Sequence, residues 1–268
     1  MNNAVNFTNT ELPDILEIRN ANQTYDNGKS FILKDFNLLI EDQPDQGQFI
    51  VLLGPSGCGK STVLRYLAGL QQPTSGEIFI KEKKRTNDDR IGMVFQQYSS
   101  FPWMTVLENV ELGLKYKGVD SKERKEKAME MIKIVGLEGH HKKFAQYPTL
   151  SGGQLQRVAI ARSLLVNPEI VLMDEPFGAL DTNTRLKMQD FLISVWEQVH
   201  PTIVLVTHDI SEAVYLGDDV YILSTAPSSI IEHVKIDLPF KRTKEIKRSQ
   251  KFTDYVFYLE DRMMSFEV

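Results

Sequence analysis

The sequence predicts an α/β fold built around a mainly parallel β-sheet. The prediction rests on three short apolar runs, at residues 49–53, 170–173 and 203–206. None of the runs alternates polar with apolar residues, and strands that are buried on both faces of a parallel sheet have this pattern. Stretches with helical spacing lie between the runs. Each run ends in small, polar or charged residues, and ligands of open α/β sheets bind beyond the carboxyl ends of the strands.

The N-terminal part of the chain predicts a different kind of sheet. The segments "ILEIRN" and "FNLLIED", within residues 14–48, alternate apolar with polar residues. A period of two is typical of strands that have one solvated face. We therefore expect a small antiparallel β region ahead of the first buried run.

Two helices are predicted between the first and second apolar runs. Thr105 and Glu108 form a candidate capping box ahead of apolar residues that are spaced by four. Ser121 is expected to cap a second, highly charged helix, which Gly136 ends. The pattern of these two helices indicates an insertion into the α/β core. A third helix is expected to begin at about Ser151, before the second run.

The composition is that of an ordinary globular protein. The chain has 268 residues, of which 42% are hydrophobic and 25% are charged. Its net charge of −5 argues against nucleic acid as a main partner, because the phosphate backbone favours basic surfaces. A single cysteine rules out an internal disulfide bond and suits a reducing compartment. We find no secretion signal and no apolar run near the ~20 residues of a membrane helix, so work at a membrane would require a separate spanning subunit.

The first apolar run leads into a glycine-rich loop. Residues 54–61, "GPSGCGKS", fit the pattern G-x-x-x-x-G-K-[ST]. Glycines allow backbone N–H groups to point inward around a phosphate, and the following helix directs its positive end to the same place. Lys60 can then reach the β- and γ-phosphates, and the Ser61 hydroxyl can ligate Mg²⁺. The alternative is a purely structural turn between strand and helix.

The single cysteine, Cys58, lies inside this loop. Nothing beside it marks a catalytic thiol, so we interpret it as a small filler residue. We expect that alkylation of Cys58 would still block nucleotide binding by steric exclusion.

Acidic residues follow the second run, and a histidine follows the third. Phosphoryl transfer to water needs a metal ligand and a group that orients or deprotonates the water. Asp174 and Glu175 can divide these tasks, with Asp174 toward Mg²⁺ and Glu175 toward the water. His208 can donate a hydrogen bond to a γ-phosphate oxygen, or hold Glu175 and the water in place. The alternatives are a solvated acidic strand end and a structural histidine.

The motif "LSGGQ" at residues 150–154 resembles the signature of ABC-type ATPase domains. The longer stretch "LSGGQLQRVAIARSLLVNPEIVLMDEPFGALD" is similar to these proteins almost residue for residue, and the other motifs follow in the family's order over residues 14–225. By position, the resemblance implies that Asp174 and Glu175 are the Walker B pair and that Gln96 is the Q-loop glutamine. It likewise implies that Asp181 is the D-loop aspartate and His208 the switch histidine. Tyr25 lies where the family has an aromatic residue that stacks on adenine.

The resemblance implies three overlapping sets of site residues. The implied catalytic residues are Glu175, His208, Gln96 and Lys60, and the implied Mg²⁺ ligands are Ser61, Gln96 and Asp174. The residues implied to bind ATP are Tyr25, Gly54, Pro55, Ser56, Gly57, Cys58, Gly59, Lys60, Ser61, Thr62, Ser151, Gly152, Gly153, Gln154 and Asp181.

The fold that the resemblance implies is that of a P-loop NTPase. It has a RecA-like core, an N-terminal antiparallel β subdomain and an inserted α-helical subdomain. We place the ATPase domain at residues 14–225, the helical insertion at about residues 98–150, and a short C-terminal tail at residues 226–268. The basic run at residues 241–251 is interpreted as a solvated surface.

The family also implies a homodimer. Its members work head to tail and hold two ATP molecules between protomers, with the signature of one chain against the glycine-rich loop of the other. Ser151, Gly152 and Gly153 open a predicted helix, whose N-terminal amides can face a γ-phosphate. Hydrolysis removes the charge that bridges the protomers, and the dimer opens.

Further motifs indicate which kind of ABC ATPase the chain resembles. The chain has no long heptad pattern, which argues against the chromosome-maintenance and DNA-repair relatives. It contains one set of motifs rather than two, which argues against the translation-factor relatives. It lacks the acidic TEVGE-like segment of exporters, and "DEPFGALD" resembles importers. The stretch "VFQQYSSFPWMTVLENV" and the C-terminal tail resemble the nitrate/sulfonate/taurine branch of bacterial importers.

The resemblance thus implies an ATP-hydrolysing, Mg²⁺-dependent subunit of a bacterial uptake system for such anions, peripheral to the cytoplasmic face of the inner membrane. Its partners would be transmembrane permease subunits and, indirectly, an extracytoplasmic solute-binding protein. Residues 101–104 would lie near a coupling helix of the permease, unless they pack the insertion against the core. Two rival functions stay open: a non-transport ABC ATPase in complex assembly, and a nucleotide-binding regulator with little hydrolysis.

Overall fold

The three apolar runs form buried β-strands, as the sequence predicts. The computed structural model describes residues 13–26, 28–43, 47–86, 91–96, 99–239 and 241–265. The predicted start of the helical insertion at residue 98 lies outside this part of the chain. The chain divides into two compact units: the first unit comprises residues up to Ile91 and from Thr202 onward, and the second unit runs from Gly92 to Pro201.

In chain order, the strands and helices are β1 (Asp14–Gln23), β2 (Leu33–Glu41), β3 (Gln48–Leu53), α1 (Lys60–Ala68), β4 (Ser75–Ile80), β5 (Lys83–Lys84), β6 (Gly92–Val94), α2 (Val106–Tyr116), α3 (Ser121–Ile134), α4 (Gly152–Leu164), β7 (Ile170–Asp174), α5 (Thr182–Val199), β8 (Thr202–Thr207), α6 (Ile210–Leu216), β9 (Asp219–Leu223), β10 (Ile230–Lys235), a 3₁₀ helix (Lys244–Arg248) and α7 (Gln250–Met264).

The first unit contains the predicted antiparallel sheet, in the strand order β2-β1-β4-β5. Leu16 and Ile18 of β1 are buried opposite Ile40 and Leu38 of β2. Alternation therefore identified the right region, although it did not predict that β4 and β5 extend the sheet. One position in β4 requires glycine: Gly76 has φ +103°, and a Cβ there would lie 2.6 Å from the backbone of β1.

The first unit also contains strands in the order β10-β9-β3-β8. Strand β3 pairs in parallel with both β8 and β9, and all six of its residues are buried. Leu53, the last residue of β3, stands opposite Thr207, the last residue of β8. The glycine-rich loop and His208 therefore leave neighbouring strands at the same edge of the sheet.

In the second unit, β6 and β7 pair in parallel, with Val94 opposite Met173. This register brings the chain that follows β6 to the edge where Asp174 ends β7. Gln96 lies in that following chain, two residues beyond Val94. Gln96, Asp174 and Glu175 thus lie at the carboxyl ends of two adjacent strands.

The helices of the second unit follow the predicted caps with one correction. Thr105 and Glu108 form the capping box of α2, as predicted. Ser121, however, does not cap α3. The N-cap is Asp120, whose carboxylate accepts the backbone N–H of Lys122 at 2.8 Å. Because this acceptor precedes Ser121, the helix begins one residue earlier than a serine cap would place it.

The C-terminal part of the chain has more regular structure than its weak sequence pattern indicated. Strand β10 lies beyond residue 225 and pairs antiparallel with β9. Ser249 caps α7, which buries Phe252 and Leu259. The domain boundary at residue 225 stays a prediction. Within the described residues, no helix has both the length and the apolar composition needed to cross a membrane.

Arg242 corrects the interpretation of the basic run as a solvated surface. Its buried guanidinium donates to the carbonyl oxygens of Tyr215 and Gly217, and to the carboxylate of Asp218 at 3.0 Å. The other carboxylate oxygen of Asp218 accepts the N–H of Phe49, near the start of β3, at 2.9 Å. Arg242 thereby fastens the C-terminal segment to the strand that leads into the glycine-rich loop.

Replacement of Arg242 by alanine is expected to lower the free energy of unfolding by about 3 kcal/mol, because Asp218 loses its cation. Urea unfolding followed by circular dichroism measures the change. The exposed neighbour Lys241 is the matched control, and Lys241→Ala should change stability by less than about 0.5 kcal/mol. Equal effects of the two substitutions would contradict the role given to Arg242.

Candidate active site

The glycine-rich loop connects β3 to α1 through backbone conformations that side chains disfavour. Gly57 and Gly59 have φ values of +80° and +102°. A Cβ on Gly59 would lie 2.9 Å from Cδ2 of Leu33, so this glycine is required both by its conformation and by its close packing. No side chain caps the start of α1, and no acidic residue lies in its first turn. A helix start with neither a side-chain cap nor an acidic residue suits an anion.

Lys60 is held inside the loop by the loop itself. Its side chain is only 4% exposed, and its ammonium donates to the carbonyl oxygens of Gly54 and Pro55, both at 2.8 Å. These bonds fix the position of a positive charge within the ring of loop amides. The next residue, Ser61, supplies a hydroxyl oxygen in the first turn of α1, and oxygen is the donor that Mg²⁺ prefers.

Cys58 is buried in the loop, which agrees with its interpretation as a filler residue. A Cβ on Gly54 would lie 3.0 Å from the Cys58 sulfur, so the thiol occupies packing space beneath the backbone. Burial raises the pKa of the thiol, which disfavours the reactive thiolate. We therefore expect slow alkylation of Cys58 in the folded protein, and the effect of alkylation on nucleotide binding stays a prediction.

Tyr25 lies at the surface of the first unit, with 66% of its area exposed. Its hydroxyl accepts a hydrogen bond from the side-chain amide of Gln71 at 3.0 Å. The adjacent Asp26 accepts hydrogen bonds from Thr24 and Ser30, and the hydrogen bond from the Ser30 hydroxyl is the main reason that the pKa of Asp26 falls to about 2. The exposed ring is thus attached to a fixed loop, as a stacking platform requires. No sequence motif indicated Gln71, because its contact forms only in the folded protein.

Gln96 and Glu175 are brought into contact in the second unit. The Gln96 side-chain N–H donates to Oε2 of Glu175 at 3.1 Å. Glu175 has φ +42°, a conformation that non-glycine residues seldom adopt and that is concentrated at functional sites. Gly178 gives this pair room, because a Cβ there would lie 3.2 Å from the Gln96 nitrogen. The sequence pattern did not indicate this role for Gly178.

The oxygen donors of the second unit also fit Mg²⁺. Asp174 ends β7 as a buried carboxylate. The hydrogen bond from Gln96 to Glu175 uses the amide nitrogen of Gln96, so the amide oxygen is the end available to a metal. Carboxylate and amide oxygens are ligands of hard cations such as Mg²⁺.

The signature motif forms the start of α4. The hydroxyl of Ser151 accepts the N–H of Gln154 at 3.3 Å, and the Gln154 side chain accepts the N–H of Ser151 at 2.9 Å. Gly153 is buried, and a Cβ there would lie 2.9 Å from the Thr184 side chain. Gly153 therefore permits close packing at the start of α4.

Asp181 has a structural task that the sequence did not indicate. It is the N-cap of α5, and its carboxylate accepts the N–H of Thr184 at 3.1 Å. A hydrogen bond from the Thr184 hydroxyl is the main reason that the pKa of Asp181 is lowered. Asp181 is therefore ionised and fixed in direction at the protein surface.

A family model described as "ABC transporter" matches residues 33–178. The chain belongs to the ABC transporter family. It is an ATPase of this family that uses ATP and Mg²⁺, as the motifs predicted.

Two relatives of this ABC ATPase are subunits of importers by name. The nitrate import ATP-binding protein NrtD of Synechocystis sp. is 45% identical over 250 residues, which cover 90% of this chain and 91% of the relative. The aliphatic sulfonates import ATP-binding protein SsuB of Bacillus cereus is 42% identical over 223 residues, which cover 82% of this chain and 84% of the relative. The chain is therefore similar to the ATP-binding subunits of import systems.

Solved structures confirm the predicted fold class. A dimeric ATP-binding cassette, in a post-hydrolysis state bound to ADP and Pi, matches with a TM-score of 0.69 and 37% identity, covering 84% of this chain and 100% of its own. A component of an ABC transporter complex from Clostridium perfringens matches with a TM-score of 0.74 and 25% identity, covering 96% of this chain and 100% of its own.

Loss of the hydrogen bond to Tyr25 is expected to weaken ATP binding. Gln71→Leu should raise the Kd for ATP about two- to tenfold, since the freed ring must be ordered on binding. Isothermal titration calorimetry measures this Kd. Gln72→Leu is the neighbouring control and should leave the Kd within about twofold. An unchanged Kd in Gln71→Leu would show that the tether does not prepare Tyr25 for the base.

Proposed function

We propose that this protein is the ATP-hydrolysing subunit of a bacterial import system for nitrate- or sulfonate-like anions. The contact between Gln96 and Glu175 carries the catalytic part of the proposal, because it holds a carboxylate at the strand edge where Asp174 also ends. The names of the two importer relatives support the choice of solute class.

The first unit supplies groups that bind the triphosphate. Lys60 presents its ammonium inside the loop, and the amides of the loop and of the first turn of α1 donate to phosphate oxygens. Tyr25 offers its exposed ring to adenine. His208 donates a hydrogen bond to the γ-phosphate as charge develops there.

The second unit supplies the group that activates water. In the proposed reaction, the water oxygen attacks the γ-phosphorus, Glu175 accepts the proton, and the bond from the γ-phosphorus to the bridging oxygen of ADP breaks. Gln96 donates to Oε2 of Glu175 and so holds the carboxylate in position. Ser61, Asp174 and Gln96 would hold Mg²⁺, which offsets the negative charge of the phosphates.

The proposed working state is a head-to-tail homodimer. Ser151 is exposed at the start of α4, where backbone amides can meet the phosphate held by a partner. Asp181 is likewise exposed and fixed by its cap. The dimeric cassette among the similar structures supports this arrangement.

Glu175→Gln should retain ATP binding but lower kcat about 10²- to 10⁴-fold, because an amide cannot accept the proton from water. ATP should also trap the variant as a dimer, which light scattering detects. Glu138→Gln, on an exposed loop, is the matched control and should behave as the wild type. Wild-type turnover in Glu175→Gln would contradict the proposed role of Glu175 as the group that accepts the proton from water. Low turnover in the wild type itself would favour the rival nucleotide-binding regulator.

The segment at residues 101–104 supports a contact with permease subunits. Buried Asn109 accepts the N–H of Phe101 at 2.7 Å and donates to the carbonyl oxygens of Phe101, Met104 and Thr105. This network fixes the loop while Trp103 stays 68% exposed. A rigid, exposed aromatic residue is a common anchor of protein interfaces, so we favour the interface over internal packing for Trp103.

The rest of the importer proposal follows from this contact. The subunit would lie on the cytoplasmic face of the inner membrane, bound to transmembrane permease subunits. A solute-binding protein outside the membrane would act on it only through those subunits. The rival assembly ATPase would have the same nucleotide site and different partners.

Trp103→Ala should weaken association with the permease subunits at least tenfold, because it removes an anchor residue. ATP hydrolysis by the isolated subunit should change by less than about twofold. Co-purification from membranes and uptake of nitrate or an alkanesulfonate by cells measure the two effects. Tyr116→Ala, at another exposed aromatic residue, is the control. Persistent uptake with Trp103→Ala would contradict the assigned contact, and co-purification with no multi-span protein would favour the assembly ATPase.

A further inference from the structure

We propose that Glu212 is a positioning residue for His208. This inference rests on the role of His208 in the proposed function. Glu212 lies in α6, four residues beyond His208, and it was not among the residues that the motifs indicated.

A closed ring of three hydrogen bonds encloses the backbone of His208. The Thr207 hydroxyl donates to Oε2 of Glu212 in a short hydrogen bond. The N–H of Asp209 donates to the Thr207 hydroxyl oxygen at 3.0 Å. The N–H of Glu212 donates to Oδ1 of Asp209 at 2.9 Å, which closes the ring. The residues on both sides of His208 are therefore held in one ring. Thr207 bonds to the carboxylate of Glu212, and Asp209 bonds to the Thr207 hydroxyl and to the N–H of Glu212.

The residues that form the ring differ in burial from the histidine that they position. Thr207 is 2% exposed and Glu212 is 4% exposed, whereas His208 lies at the surface. Buried hydrogen bonds of this kind are costly to break, because each lost partner leaves a desolvated polar group. The ring therefore holds the backbone on both sides of His208 and so sets the point from which its imidazole extends.

The carboxylate of Glu212 also fixes the direction of the hydrogen bonds. The Thr207 hydroxyl has a single proton, which it gives to Oε2 of Glu212. The hydroxyl oxygen then accepts the N–H of Asp209. A glutamine at position 212 could donate instead of accept, and the ring would lose its single arrangement. An apolar residue there would remove the acceptor altogether.

The place of the ring in the sheet connects it to the phosphate site. Thr207 ends β8 opposite Leu53, the residue that precedes the glycine-rich loop. Small displacements of a group that acts on a reacting phosphate have large effects on rate. A change at Glu212 would therefore act through the position of His208 and affect kcat more than ATP binding.

The test is a double-mutant cycle on steady-state ATP hydrolysis. Glu212→Gln should lower kcat about tenfold, within the range of coupled neighbours, with the KM for ATP and the Tm nearly unchanged. In the background of His208→Ala, the same substitution should lower kcat by less than twofold, because the group it positions is gone. Thr207→Val should repeat this pattern, and Thr207→Ser, which keeps the hydroxyl, should restore most of the rate. Ser211→Ala, on the exposed side of α6, is the control.

The outcomes separate this inference from the proposed function. A tenfold loss from Glu212→Gln in both backgrounds would overturn the inference, because Glu212 would then act independently of His208. A large rise in the KM for ATP together with a fall in Tm would overturn it as well, because both would show a structural role for Glu212. Wild-type kcat in His208→Ala would instead overturn the proposed role of His208. Glu212→Gln is nearly isosteric, which keeps the cycle usable where Glu212→Leu fails to fold.

Discussion

The hydrogen bonds from Lys60 to the carbonyl oxygens of Gly54 and Pro55 are the interaction on which the nucleotide site depends. They keep a buried ammonium group inside the loop, where two carbonyl oxygens of the loop accept its hydrogen bonds. Two features support the loop. Strand β3, which leads into it, is buried along its whole length, and Gly59 tolerates both its positive φ and its contact with Leu33. Phosphate affinity is thus a property of backbone geometry, with one side chain providing the charge.

The register of the parallel strands then determines which of the candidate site residues lie at the same edge of a sheet. In the first unit, the pairing of β3 with β8 places the phosphate loop and His208 at one edge. In the second unit, the pairing of β6 with β7 does the same for Gln96, Asp174 and Glu175. Each unit therefore presents its functional residues beyond the carboxyl ends of its strands, on short connections that rigid strands hold.

The sequence predicted those features that local chemistry determines. Unbroken apolar runs identified β3, β7 and β8 because these strands are buried on both faces. The glycine pattern identified the loop after β3, because its positive φ values and close packing favour glycine. Short or partly exposed strands such as β5 and β6 have no comparable signal. Contacts were also out of reach, because Gln96 and Glu175 are 79 residues apart and Gln71 and Tyr25 are 46 apart. Such pairs meet only when distant elements fold together.

The buried guanidinium of Arg242 means that a part of this chain can contain all the motifs and still lack contacts that stabilise the fold. A fragment cut at residue 225 would keep every nucleotide-binding motif. It would nevertheless leave the outer edge of β9 without β10, and a bare strand edge invites association with other chains. It would also leave the Asp218 carboxylate beside β3 without its cation. Fragments of this protein that look whole to a motif search can therefore be prone to aggregate.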